Sequence, residues 1–298
     1  MNKTTKRSTS PNGTLTDILD EYRAIIEKEL EIALTGNNAR FTVEEAMKYS
    51  TLEGGKRIRG VLVLEFCRIF GGKLEKATPI AAAIEMIQAF SLIHDDLPCM
   101  DDDDFRRGKP SCHKEFSEPV ALLAGDALLA NAFNTVSATA FLSKKEAISH
   151  KNTVLVMSAL SNAIMEMVRG QQLDMDFESA KSNTLDEDAI IGMYNRKTCA
   201  LISGACVCGA ICASASDKDI HKAKSYGIAL GLAFQMTDDL LDLENESKDK
   251  KTFATLFGAK KTNEKADEYT DMALKIAKSI PDSEFLQQLA TMLIKRTV

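Results

Sequence analysis

The chain has 298 residues, a formal net charge of -6, 45% hydrophobic residues and no tryptophan. The acidic balance argues against a nucleic-acid footprint, which would be basic, but it is compatible with an anionic ligand bridged to carboxylates by cations. Six prolines and 16 glycines are too few for a sandwich or barrel with many tight turns, while the apolar fraction suffices for a sizeable core.

Residues 1–14 are polar and basic and lack the apolar centre of a secretory signal, so they read as a flexible N-terminus ahead of one domain over 15–298. That domain exceeds the usual span of about 100–200 residues, but a large helical bundle accommodates it. Apolar residues at helical spacing (Leu15, Ile18, Leu19, Tyr22, Ile25, Ile26, Leu30, Ile32) predict a helix over Leu15–Leu34. Thr42 with Glu45 three residues on predicts a capping box and a second helix, which Gly54-Gly55 breaks. A helix over Ile58–Ile69 follows and stops at Gly71-Gly72, and Thr78-Pro79 opens the next, which runs to Leu97. Further helices are predicted over 119–141, 147–175, 186–213, 217–244, 263–279 and 283–296. No alternating strands and no glycine-rich strand-to-helix loop are visible. The fold class is all-α, a single-domain helical bundle. Helices apolar on most faces, 79–97, 119–133 and 200–213, belong in its middle.

No apolar run reaches the roughly 18 charge-free residues of a membrane span. The seven cysteines are odd in number, and Cys206, Cys208 and Cys212 lie in a Gly/Ala-rich apolar run, where they read as small packing residues rather than metal ligands. A reducing compartment follows: the cytoplasm, with a plastid or another organelle as the alternative.

Six carboxylates fall within the ten residues Asp95–Asp104, directly after an apolar helix. Such crowding is unfavourable except on a solvated surface or around a cation, and an isolated run of this kind would be a solvated loop. A second acidic element, Asp238-Asp239-Leu240-Leu241-Asp242, also follows an apolar helix, and Asp238 and Asp242 share one helical face. Carboxylates on facing helices are how bundles build metal sites, and all-oxygen donors select Mg²⁺, Ca²⁺ or Mn²⁺ over zinc. Basic residues accompany both: Arg106-Arg107 after the first cluster, Lys56 and Arg59 after two glycines at a helix start, and Lys197-Thr198. Lys56 and Arg59, one turn apart, can grip one anion together.

These motifs resemble those of the trans-isoprenyl diphosphate synthases, the farnesyl and geranylgeranyl diphosphate synthases, over about residues 40–260. The blocks that carry the resemblance are GGKRIRG (54–60), SLIHDDLPCMDDDDFRRGKPSCH (91–113), LLAGDALL (122–129), GQQLDMD (170–176), YNRKTCALI (194–202) and FQMTDDLLD (234–242). The resemblance implies an all-α bundle of the isoprenoid synthase type around a central cavity that holds the active site, and a Mg²⁺-dependent prenyltransferase, with three ions expected and Mn²⁺ as a substitute. It implies metal ligation by Asp95, Asp101, Asp174, Asp238 and, as a weaker ligand, Asp242. Lys197, Thr198, Gln235 and Arg106 would hold an allylic diphosphate, and Lys56, Arg59 and Arg107 the diphosphate of isopentenyl diphosphate. Lys197, Arg106 and Asp238 are the residues it makes catalytic. A homodimer is typical of such proteins.

Two features depart from the family pattern. Gln88 stands where a histidine is frequent, and its amide still donates to a phosphate. The segment after Asp242 is short, with Lys248, Lys250 and then Lys251-Thr252-Phe253, and Lys251 is assigned the role of the second lysine of the family loop. Phe90 lies five residues before Asp95, about one and a half helical turns deeper. It reads either as an ordinary core residue or as a plug that ends growth near fifteen carbons, and together with the Pro98-Cys99 insertion it favours farnesyl diphosphate, made from dimethylallyl and geranyl diphosphates. The alternatives are a geranylgeranyl diphosphate synthase and a non-catalytic regulatory subunit. A terpene cyclase would carry an Asn/Ser/Glu second motif in place of Asp238–Asp242.

Overall fold

The computed structural model describes residues 14–35, 41–141, 148–179, 185–243 and 251–294. The expected flexible N-terminus (but for Thr14), the ends of three predicted helices at residues 147, 244 and 295–296, and Lys248 and Lys250 lie outside the described residues.

Helix α1 (Leu15–Leu34) starts in a reciprocal capping box of Thr14 and Asp17 and buries the stripe Ile18, Leu19, Tyr22, Ile26, Leu30 and Leu34. Helix α2 (Thr42–Leu52) departs from expectation at its start. Phe41, not Thr42, is the N-cap, because the Phe41 carbonyl accepts from both Glu44 N and Glu45 N and Thr42 is already helical. Helix α3 (Ile58–Ile69) has the predicted limits. Helix α4 (Leu74–Asp95) opens a turn earlier than Thr78-Pro79 predicts and ends before Leu97. Pro79 is tolerated inside it, near the N-terminus, and the Thr78 hydroxyl donates to the Leu74 carbonyl at 2.9 Å.

A two-residue antiparallel hairpin, β1 (Phe105–Arg106) and β2 (Lys109–Pro110), leads into the short α5 (Cys112–Glu115). Next come α6 (Glu118–Ala138), closed by a 3₁₀ turn over Thr139–Phe141, and α7 (His150–Ser179). The predicted 186–213 helix is one axis in three pieces: α8 (Glu187–Tyr194), a π-helical turn (Asn195–Cys199) and α9 (Ala200–Cys212). The chain continues with α10 (Asp217–Asp242), α11 (Phe253–Phe257), α12 (Ala259–Lys278) and α13 (Glu284–Ile294). The hairpin, α5 and α11 have no signal in apolar periodicity, since none is long enough to show a period.

At the centre α3 packs on α4 and α9, α9 packs on α7 and α10, α4 packs on α6, and α12 covers α10. Both α4 and α9 are buried on nearly every face, as their lack of a polar stripe requires. Glu85 and Asp126 place charges within the two most apolar of the long helices, α4 and α6. Two helices, Leu74–Asp95 and Glu118–Phe141, are long and apolar enough to cross a bilayer by length and composition. The first is mostly buried within the bundle, where a core helix has the same composition as a membrane span; the second is buried over only about a third of its apolar window. Leu122 and Leu123 of α6 are exposed, as are Val154, Met165 and Val168 of α7.

Candidate active site

Asp95 is the last residue of α4, where the helix dipole already disfavours an anion. The chain then turns back on itself. Met100 N donates to the Leu97 carbonyl at 2.8 Å and Asp101 N to the Asp95 carbonyl at 2.9 Å, so Pro98-Cys99 is taken up in the turn and Asp101 returns beside Asp95. The other four acids have local partners. Asp96 is buried and accepts Arg106 Nε at 2.9 and 3.2 Å as well as Nη2. Asp103 accepts Arg106 Nη2 at 2.8 Å, and Asp104 pairs with Lys114 at 2.7 Å. Asp102 lies 3.8 Å from His113 and 4.0 Å from Lys114. Arg106 is thus held in a two-carboxylate fork at the edge of the site.

Asp174 on α7 and Lys197 in the π-helical turn form the next part. A π turn inserts one extra residue and pushes side chains out of helical register, a device frequent at functional sites. Gly170 lets α7 approach this turn, since a Cβ there would lie 2.5 Å from Lys197 Cα. Lys197 Nζ is hydrogen-bonded to Asp174. Burial pushes the Asp95 carboxyl up to about 6; Asp101 and Asp174 push the same way, while Lys197 and Arg106 oppose them. Burial works against charge on Lys197, but Asp174, Asp95 and Asp101 outweigh it and hold the ammonium above its ordinary range. Three carboxylates therefore share one ammonium. Thr198 Oγ1 donates to Gln235 Oε1 at 2.8 Å, which brings two more of the expected residues together.

The second motif divides in the same way as the first. Asp238 is half-buried and acts on the Arg59 guanidinium. Asp239 is buried and accepts from Tyr194, Gln235 and the Phe253 backbone. Asp242 is exposed at the end of α10.

A cavity of about 710 Å³ is walled by Lys56, Arg59, Gln88 and Arg107 together with Glu27, Glu53 and Glu85 on its polar side and by Ile202, Leu230 and Phe234 on its apolar side; the motif aspartates are not among its walls, and Asp238 acts on it through Arg59. Lys56 precedes α3 rather than standing on it, because Arg57 is the N-cap in the left-handed region. The expected helical pair Lys56 and Arg59 is corrected to a loop residue and a first-turn residue that line one cavity. Arg107 is also left-handed and donates to the Gly54 carbonyl at 2.8 Å, with its guanidinium against Gly55. Burial pushes Arg59 and Arg107 down from the ordinary guanidinium range. The motif reading missed Arg57: it is buried, donates to the Thr51 carbonyl at 2.7 Å and lies between Glu27 and Glu85.

Phe90 is buried, its ring edge-on to His94 with centroids 4.9 Å apart, and it is not a wall of this cavity. His94 Nε2 lies 3.1 Å from the Leu122 carbonyl and rests on Gly125, which accounts for the glycine in the 122–129 block. Lys251 is half-buried, directly before the Thr252 cap of α11.

The donor set suits a hard divalent cation. It is all oxygen, and its members crowd one another around a single ammonium. Among the described residues no three acidic, histidine or cysteine side chains already surround one point. The carboxylates are gathered, and a cation would complete their convergence.

A helical bundle with acidic motifs at the ends of buried helices and a cavity with a basic wall defines an isoprenoid synthase, an all-α class of protein. Residues 41–266 match the polyprenyl synthetase family, and the chain belongs to it. It is 40% identical over 239 residues to the heterodimeric geranylgeranyl pyrophosphate synthase large subunit 1, chloroplastic, of Arabidopsis thaliana, covering 76% of this chain and 64% of that protein. The chain spans only about two thirds of the length of such plant relatives. Against the farnesyl diphosphate synthase of Bacillus subtilis the identity is 37% over 265 residues, covering 89% of this chain and 86% of the relative. Among solved structures, an FPP/GFPP synthase from Zymomonas mobilis superposes with a TM-score of 0.86 at 33% identity, over 94% of this chain and 98% of that one. A geranyltranstransferase from Thermotoga maritima gives 0.81 at 34%, over 93% and 99%.

The raised Asp95 carboxyl has consequences of opposite sign for folding and for cation binding. Between its ordinary value of 3.8 and about 6 the folded chain holds this proton more tightly than the unfolded chain. That contribution to stability is full at low pH and is lost as pH rises through about 6. A divalent cation needs the carboxylate, so its affinity should fall by up to about tenfold per pH unit below 6. Calorimetric titration with Mn²⁺ between about pH 5 and pH 7 checks this, and Asp95→Asn should flatten the profile.

Proposed function

We propose that the chain is a Mg²⁺-dependent short-chain trans-prenyltransferase that condenses isopentenyl diphosphate with dimethylallyl and geranyl diphosphates to give farnesyl diphosphate. The observation that supports this reading is a group of carboxylates around Lys197 and a separate basic wall of the cavity, which would serve as two anion grips. Asp95, Asp101, Asp174, Lys197 and Thr198 form the first; Lys56, Arg59, Gln88 and Arg107 form the second; and Arg59 feels Asp238 from within the second.

In this reading Lys197, Thr198 and Gln235 hold the allylic diphosphate, and Arg106, aimed by Asp96 and Asp103, binds its outer oxygens. Mg²⁺ held by Asp95, Asp101, Asp174 and Asp238, with Asp242 as an outer ligand, would neutralise the charge that develops on the leaving diphosphate. Lys56, Arg59, Gln88 and Arg107 fix isopentenyl diphosphate by its own diphosphate, with Lys251 closing on the anions. The allylic C–O bond breaks, its electron pair leaves with the diphosphate, and the isopentenyl double bond forms the new C–C bond at the freed carbon. A proton is then lost to the departing diphosphate. No side-chain nucleophile is needed; in-line placement in a dry pocket supplies the rest.

With labelled isopentenyl diphosphate, each allylic starter and Mg²⁺, the purified chain should release diphosphate and form prenyl products. Asp95→Ala and Asp238→Ala should each lower kcat by about 10²–10³-fold or more. An inactive wild type under all starters would end this reading and leave the regulatory-subunit alternative.

Product length is assigned to Phe90, whose buried ring stands one and a half turns below Asp95 on α4. Relatives of both kinds, farnesyl and geranylgeranyl, match the chain, and the aromatic ring favours the shorter product. Phe90→Ala should shift chromatographed products from fifteen carbons to twenty or more; an unchanged fifteen-carbon product would remove Phe90 from this role.

We also propose a homodimer through the apolar face of α6 and α7, where Leu123 is 53% and Val154 65% exposed. Sedimentation should show a dimer for the wild type and a monomer for Leu123→Asp combined with Val154→Asp. The cytoplasm is the proposed location, in keeping with seven free thiols.

A further inference from the structure

A buried hydrogen-bond junction joins the second aspartate motif to the π-helical turn, and no step above uses it. Tyr194, the last residue of α8, is 4% exposed, and Asp239 is 3% exposed. Tyr194 Oη donates to Asp239 Oδ2 at 2.6 Å and accepts from the Phe253 backbone N–H at 2.9 Å. That N–H also reaches Asp239 Oδ2 at 3.0 Å. The other carboxylate oxygen, Oδ1, accepts Gln235 Nε2 at 3.1 Å, and Gln235 in turn accepts from Thr198 at 2.8 Å. Ile190, Met193 and Phe253 enclose the junction in an apolar shell. A buried carboxylate needs such donors to remain charged.

We propose that Tyr194 is a positioning residue for the allylic-diphosphate half of the site, an inference that rests on the function proposed above. Its hydroxyl ties together the three elements that carry that half. Lys197 and Thr198 follow it by three and four residues in the π turn. Asp238 precedes its partner Asp239 on α10. Phe253 opens α11, two residues after Lys251. A helix end bonded at Asp239 cannot rotate freely, so Asp238 and Lys197 keep a fixed separation across the diphosphate. The phenol completes the shell of Asp239 without adding charge beside Asp238, which a lysine in its place would do. The isopentenyl grip lies on other elements, with Arg59 on α3 and Arg107 at the hairpin, so loss of the junction would act on it only through the longer-range pull of Asp238 on Arg59.

Tyr194→Phe keeps the ring and removes only the hydroxyl. Calorimetry on the full chain with Mg²⁺ should show inorganic pyrophosphate bound about tenfold more weakly than by the wild type. The KM for the allylic diphosphate should rise by a similar factor, while the KM for isopentenyl diphosphate stays within about twofold. A folded variant with wild-type pyrophosphate affinity, or with both KM values raised equally, would overturn the assignment whatever its melting temperature. Asp239→Asn, which keeps the shape and one accepting oxygen, carries the same comparison if Tyr194→Phe is not recovered folded. A wild-type chain that neither binds pyrophosphate nor condenses substrates would overturn the proposed function itself. A working wild type matched by the variant would remove the positioning role alone.

Discussion

Carboxylates placed at the C-terminal end of a buried helix repel one another, oppose the helix dipole and lose hydration, so each needs a cation or a set of donors close by. This constraint orders the whole site. At the end of α4 it is met by Arg106 for Asp96 and Asp103, by Lys114 for Asp104, and by Lys197 for the group of Asp95, Asp101 and Asp174. At the end of α10 it is met by neutral donors for Asp239 and by Arg59 near Asp238. At Asp95 burial outweighs the pull of Lys197 and Arg106 and pushes the carboxyl up.

The two aspartate motifs follow one internal rule. Successive residues at a helix end point about 100° apart, so adjacent acids cannot both face one way. In each motif the first aspartate, Asp95 or Asp238, is only half-buried. The second, Asp96 or Asp239, is buried and anchors a neighbouring element: the hairpin through Arg106, and α8 and α11 through Tyr194 and Phe253. A pair of adjacent aspartates is thus one proposed ligand and one fastener. The fastener fixes the aim of residues that ligand-seeking alone would treat separately.

Much of this was legible in the sequence, for identifiable reasons. The long helices follow from apolar spacing, and the grouping of Asp95 with Asp101 and Asp174 follows from family motifs that the geometry joins around Lys197. What escaped has physical causes too. The N-cap at Phe41 uses a backbone carbonyl, which leaves no side-chain signature. The start of α4 before Pro79 escaped because a proline in the first turns is tolerated as well as one at the start. The π turn breaks no apolar pattern, since it adds a residue to an axis that stays helical. The buried roles of Arg57, Tyr194 and Asp239 depend on partners up to 59 residues away along the chain, and local spacing carries no trace of them. The glycines at 125 and 170 were visible only as letters in a motif, and their reason is the side chain or backbone pressed against them.

Both proposed substrates carry a diphosphate, and two such anions in one bundle repel strongly unless each has its own counter-charges. The two grips differ in kind. In the proposed function the isopentenyl side would use Arg59 and Arg107, rigid forks whose charge is permanent in practice even though burial pushes both downward. The allylic side would use Lys197, a compact point charge already shared by three carboxylates. The diphosphate held by arginines would then stay on the product and the one beside Lys197 would be expelled, which would give the fixed grip to the group that must not ionise. In a second round of that proposed elongation the retained diphosphate would have to move from one set of counter-charges to the other. Arg59 is acted on by both Glu85 in the cavity wall and Asp238 of the second motif, so a change of charge at Asp238 would also be felt by the arginine that is proposed to hold the retained group.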